Sequence, residues 1–199
     1  YDAGTVNGER VVGYLDEPDV NPASTTPTFV GMRVFIDNWR WQGVPFYLRT
    51  GKRMPTRLTQ IAVTFHEPPI ALFERYERGQ RHSNVLLITL QPDEGFQLLF
   101  DVKAPTDRLR LETMPLDFWY SDAFDEDVPG AYETLLYDVM VGDQTLFVRS
   151  DEVEESWRHY TPLLESDISV RPYAAGTWGP QDAIKLPYPH GDHWTVRPR

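Results

Sequence analysis

An antiparallel α+β fold is predicted by three features of this sequence. Apolar residues recur with a period of two in several short stretches before residue 121, which is the spacing of strands with one buried face. Helical spacing comes only afterwards, in two stretches between residues 129 and 164. Nowhere do strand and helix patterns alternate in the way that βαβ units and a parallel sheet require.

Residues 1 to 24 are rich in Gly, Pro, Asp and Asn and show little sustained period, which predicts a connective entry segment with a short hairpin at Asn7-Gly8. Thr28 to Ile36 follows as a strand, with Val30, Met32, Val34 and Ile36 on one face and Arg33 on the other. Asp37 to Gly43 makes a turn whose Trp39 and Trp41 are read as core or interface aromatics. In the next strand Val44, Phe46 and Leu48 alternate with Pro45, Tyr47 and Arg49, which assigns the first three to the buried face. Ile61, Val63 and Phe65 predict another strand, ended by Pro68-Pro69, and residues 70 to 83 are a charged, solvated excursion. Val85 to Leu90 is almost unbroken apolar sequence, the pattern of a central strand buried on both sides. Gln91-Pro92-Asp93-Glu94-Gly95 forms a hairpin loop, from which Phe96, Leu98 and Phe100 return antiparallel. Leu109 to Thr113 and Leu116 to Tyr120 add strand on either side of Pro115, a residue suited to an edge or bulge.

Pro129 takes the first position of a helix whose stripe is Tyr132, Leu135, Leu136, Val139 and Met140 and whose stop is Gly142. Asp151 with Glu154 resembles a capping pair opening a second helix, lined on one side by Val153, Trp157, Tyr160 and Leu164. Residues 167 to 199 have no long period and are read as a tail packed over the rest.

The 199 residues are enough for one sizeable core, and a single domain over 1–199 is the expectation. Hydrophobic content of 41% fits a packed protein, while 17 prolines and 13 glycines imply many loops between short elements. There is no cysteine, so disulfide and thiolate chemistry are excluded and the reducing cytoplasm is a compatible setting. A formal net charge of -11 argues against nucleic acid and anionic lipid as partners, since both demand a broad basic surface. No stretch has the length of a membrane span or the make-up of a signal peptide, and a chain starting at Tyr1 reads as part of something longer.

Against that acidic background, Arg49, Lys52, Arg53 and Arg57 crowd into the end of one strand and the loop after it. One reading is an anion held by charge-assisted hydrogen bonds, most simply a phosphate or polyhydroxylated acid. The other is a solvated basic loop. Gly51-Lys52 is not a nucleotide-hydrolase phosphate loop, because Phe46 stands where its first glycine belongs and Arg53 follows the lysine.

The string Ile36-Asp37-Asn38-Trp39-Arg40-Trp41-Gln42-Gly43-Val44-Pro45-Phe46-Tyr47-Leu48-Arg49-Thr50-Gly51-Lys52 resembles the signature of the carboxy-terminal domain of the glucose-6-phosphate dehydrogenase family, bacterial in type. Asn21 to Phe29, Gln91 to Gly95, Ala131 to Met140, Gly142 to Val153 and Trp178-Gly179-Pro180 follow in that family's order. The resemblance implies a large, mostly antiparallel sheet with helices packed on one side, joined to a nucleotide-binding Rossmann domain. It implies oxidation of glucose 6-phosphate to 6-phosphogluconolactone with NADP in the pentose phosphate pathway, in the cytoplasm, by a homodimer or dimer of dimers that pairs through this sheet. The present residues contain no G-x-G-x-x-G fingerprint. NADP and the catalytic base would therefore be held by the absent amino-terminal domain, and the chain alone would be inactive. A non-catalytic dimerisation or scaffold module is the alternative.

By the same resemblance, Lys52 and Arg57 reach the sugar phosphate from this side, and Arg57 stands where many bacterial relatives have lysine. Gln91 matches a glutamine near the sugar hydroxyls, with a structural role in the hairpin as its alternative. Arg49 matches a residue of a second, structural NADP site in some animal members. Leu58, Ala62 and Thr89 replace the other basic residues of that site, so the second site is not expected and Arg49 is assigned to orienting the loop. His190 and His193 with Asp192 offer only two imidazoles in a Pro- and Gly-rich tail, without a third fixed ligand for zinc, and Asp122, Asp125, Glu126 and Asp127 lack the spacing of a calcium loop. No metal is expected.

Overall fold

The chain enters as a hairpin, β1 (Gly4–Val6) against β2 (Glu9–Val11), turned at Asn7 and Gly8 with φ of 50° and 84°. Two consecutive positive φ values are what a two-residue hairpin turn with the strands' own twist demands. This computed structural model describes residues 1–67, 83–107, 110–125, 130–166, 168–190 and 192–199. Pro68-Pro69, residues 70–82 of the predicted charged excursion, Leu109 and Pro129 lie outside the described residues.

The described residues divide into two units, one made of residues 1–124 with 171–199 and the other of residues 125–170. In the first unit the strands are all antiparallel, but they fall into three sheets. A second hairpin, separate from β1 and β2, joins β3 (Phe29–Val34) to β4 (Phe46–Gly51), with Met32 opposite Leu48. Ile36 lies beyond the end of β3 and is exposed. The largest sheet runs β5 (Thr59–Thr64), β6 (Val85–Gln91), β7 (Gly95–Lys103) and β8 (Leu111–Trp119) in chain order. Pro115 sits within β8, which is an edge strand and does not need that N–H on its open side.

The two faces of the four-stranded sheet differ. Register places Ala62, Leu87, Gln97 and Asp117 in one row and Gln60, Thr89, Gly95 and Trp119 in the next. This face carries the core: Leu87 is 0% exposed, and Thr89, Gln97 and Trp119 are buried. Complete burial of one leucine side chain contributes roughly 1.5–3 kcal/mol. The opposite face consists of rows Ile61, Ile88, Phe96, Phe118 and Val63, Leu86, Leu98, Leu116, all apolar. Ile61, Phe96 and Leu116 on it are exposed, Leu116 to 63%. The expectation that β6 is buried on both sides therefore holds for one face only.

Residues 171–199 return to this unit. Asp2 and Ala174 form a parallel bridge beside β1. The Gln60 side-chain amide both donates to the Arg197 carbonyl and accepts from its N–H, at 3.1 Å each. Arg199 pairs with Asp122 in α1 (Tyr120–Ala123) and stacks over Trp119. The aperiodic tail thus covers the core face, as its lack of a pattern of its own had suggested.

In the second unit α2 (Ala131–Val141) ends at Gly142, whose φ of 77° is the left-handed stop read from the sequence. The next helix, α3 (Ser150–Glu165), does not begin with the predicted capping pair. Arg149 occupies the cap position without a side-chain cap, and Asp151 lies inside the first turn, where its carboxylate accepts from Arg149 Nε and the Glu152 N–H. A carboxylate there still meets the positive end of the helix.

Candidate functional site: the basic loop after β4

The loop of residues 52–58 leaves β4 at Gly51 and enters β5 at Thr59, and Gln91 at the end of β6 lies directly opposite Thr59. Topology thus brings the flank of the basic loop and Gln91 to one end of the sheet. The four cations of this segment take three different roles.

Arg53 has a positive φ of 50°, and its guanidinium is committed to Glu17, with Nε at 3.2 Å and Nη2 at 2.8 Å. The Tyr1 hydroxyl donates to the same carboxylate oxygen. These two donors hold the Glu17 carboxyl below its ordinary range. Arg49 meets the tail instead. Its guanidinium carbon lies over two indoles, 4.6 Å from the centre of the Trp178 ring and 4.4 Å from that of Trp194. Burial draws its pKa below the usual arginine value. Lys52 and Arg57 are exposed, and among the described residues neither side chain has a hydrogen-bond or ion-pair partner.

Sequence alternation assigned Val44, Phe46 and Leu48 to the buried face of β4, and here the structure differs. Leu48 is 45% exposed, whereas Tyr47 and Arg49 on the other face meet the tail. The Tyr47 hydroxyl donates to Asp192 at 2.9 Å, and its ring meets Trp194 edge-on. Guanidinium has weakly hydrated planar faces, so two indoles can shelter what an alternation rule counts as polar. Trp41 packs edge-on against Phe46, in line with a core role, but Trp39 is fully exposed and serves no core. Gln91 is also exposed. Asp192 is engaged by Tyr47 and His193 rests against the Tyr188 ring, while the side chain of His190, Glu126 and Asp127 lie outside what the structure describes.

Glu17, Trp178 and Trp194 escaped the sequence reading as parts of this site. Trp178 was visible as a motif residue, but nothing local tied it to Arg49.

A model of the family "Glucose-6-phosphate dehydrogenase, C-terminal domain" matches residues 1–195. The chain belongs to that family. The glucose-6-phosphate 1-dehydrogenase of Treponema pallidum is 46% identical over 201 residues, covering 97% of this chain and 39% of that protein. Its counterpart in Dickeya dadantii is 44% identical over 98% of this chain and 41% of its own length. Among solved structures, glucose-6-phosphate 1-dehydrogenase from Mycobacterium avium superposes with a TM-score of 0.79 at 34% identity, over 100% of this chain and 40% of that one. A glucose-6-phosphate dehydrogenase in complex with its substrate glucose-6-phosphate gives 0.83 at 30% identity, over 98% and 40%. The chain therefore spans about two fifths of the length of the glucose-6-phosphate dehydrogenases it matches.

Proposed function

We propose that residues 1–199 are the carboxy-terminal, substrate-side domain of a cytoplasmic glucose-6-phosphate dehydrogenase. The full-length enzyme oxidises glucose 6-phosphate at C1 to 6-phosphogluconolactone, the entry to the pentose phosphate pathway. NADP, held by a nucleotide-binding domain outside these residues, accepts the hydride; no glycine-rich dinucleotide fingerprint lies within them. The observation that carries the reading is the sorting of the basic loop. Arg49 and Arg53 are committed within the fold, whereas the exposed cations of Lys52 and Arg57 are left for an outside anion.

In this reading the Lys52 ammonium donates to the sugar phosphate, and the Arg57 guanidinium adds a second cation to the phosphate oxygens. Gln91 offers an amide to the sugar hydroxyls from the sheet end opposite Thr59. None of the three takes the substrate proton; they hold and orient the sugar for the base that the other domain supplies. In the full-length enzyme Lys52→Ala is expected to lower kcat/KM for glucose 6-phosphate roughly ten- to a hundredfold. Unchanged kinetics would remove Lys52 from the site.

A second reading concerns assembly, and the exposed apolar face of the four-stranded sheet favours it. Ile61, Phe96, Met114 and Leu116 lie exposed on one face of that sheet, and an exposed cluster of apolar side chains is a usual mark of a protein–protein contact. The partner proposed is a second copy of this chain, giving the homodimer.

A further inference from the structure

The tail does more to the basic loop than cover the strand before it. Tyr173 is buried, and its hydroxyl lies 2.8 Å from the Lys52 carbonyl oxygen and 3.1 Å from that of Thr28. With a single proton to give, the phenol donates along the shorter of the two. The Lys52 N–H donates at 2.9 Å to the Thr28 carbonyl, so the backbone of Lys52 is held from both sides. One residue further on, the Gly176 N–H donates to the Arg53 carbonyl at 2.7 Å. The Tyr173 ring is itself fixed, with the Phe29 ring centre 5.4 Å away and that of Tyr1 at 6.2 Å. Trp178 and Trp194 grip Arg49 three residues before Lys52.

We propose that Tyr173 is a positioning residue for glucose 6-phosphate, acting through the backbone of Lys52. A lysine side chain has four rotatable bonds and much rotamer freedom to lose when it is held. What the fold can fix is the point from which it swings, and here that point is fixed by one phenol and one carbonyl. Binding a phosphate then requires ordering the side chain alone, because the loop is already in place. This inference rests on the reading of Lys52 as a phosphate ligand.

The test is Tyr173→Phe in the full-length enzyme, which keeps the ring and removes only the donor. KM for glucose 6-phosphate is expected to rise roughly three- to tenfold, with KM for NADP and kcat within about twofold of the parent. Tyr14→Phe is the matched control: its hydroxyl meets Ser24 at 3.4 Å and its ring lies against Tyr1 in the same cluster, and among the described residues its hydroxyl has no hydrogen bond to the loop. It should leave KM unchanged. The double variant with Lys52→Ala separates positioning from general loosening, since Tyr173→Phe should then add almost nothing to the loss from Lys52→Ala. The proposal is overturned by an unmoved KM in Tyr173→Phe, by an equal rise for NADP or in Tyr14→Phe, or by losses that add in the double variant. Should Tyr173→Phe not fold, Arg49→Lys keeps the charge but gives up the stacked plane, and must show the same KM signature. A normal Lys52→Ala enzyme would sink the substrate reading itself, whereas a damaged Lys52→Ala with an unaffected Tyr173→Phe would sink only the role of Tyr173.

Discussion

Gly176 allows a direct measure of how closely the tail is laid against the entry hairpin. Its φ is +82°, and a Cβ built there would lie 1.9 Å from the Thr5 carbonyl oxygen, far inside any real carbon–oxygen contact. Gly176→Ala is therefore strained twice over. The left-handed backbone costs about 1–2 kcal/mol for a residue with a Cβ. Forcing the two backbones apart adds about 1–3 kcal/mol, and about 1 more is lost if the Gly176 N–H leaves the Arg53 carbonyl. The expected destabilisation is about 3–6 kcal/mol in all. Gly8 provides the control, with a φ of +84° and nothing within 4 Å of its added Cβ. Gly8→Ala should then cost only the backbone component, about 1–2 kcal/mol. Urea unfolding of the intact protein followed by tryptophan fluorescence compares the two, provided that the slopes agree. A difference between the variants below about 1 kcal/mol would refute the close approach of Thr5 and Gly176.

Leu116→Arg, on the exposed apolar face, should leave the protein folded and convert a dimer to a monomer in sedimentation velocity; an unchanged dimer places the interface elsewhere. Stability should decline at alkaline pH, because burial raises the Tyr173 phenol above its ordinary pKa. The folded state therefore prefers the protonated form. Its contribution is complete below about pH 10, where both states are neutral, and is lost as the pH climbs through the raised folded value. Unfolding midpoints measured at pH 9 and above should fall less steeply in Tyr173→Phe, and an identical slope would contradict the burial argument.

The longer strands and their antiparallel order were legible because β3, β4, β5 and β7 alternate within themselves and β6 is an almost unbroken apolar run. Asn7-Gly8 announced its turn, and the Gln91–Gly95 loop announced the β6–β7 hairpin. The stripe from Tyr132 to Met140 and its Gly142 stop were equally local. What could not be read was which side of a strand would be covered, since that depends on residues far along the chain. Leu48 and Arg49 exchanged their expected positions because Trp178 and Trp194, with no periodic pattern around them, come back to stack on the arginine. Asp151 was mistaken for a cap because a carboxylate is favourable both at that position and just inside the helix. The motif-bearing loop was visible as charge, but the division of its cations was not: Arg53 looks like its neighbours until Glu17 is brought to it.

The hydrogen bond from Tyr173 to the Lys52 carbonyl joins residues 121 positions apart, and that separation has a consequence for synthesis. A ribosome adding roughly 5–20 residues per second needs about 6–24 s to travel from Lys52 to Tyr173. Throughout that interval the nascent chain carries Lys52, Arg53 and Arg57 but lacks the phenol and the amide that hold their backbone. Hairpins such as β3–β4 can close at once, yet the loop must wait for a partner not yet made. The segment proposed to meet the substrate is thus among the last to acquire its shape.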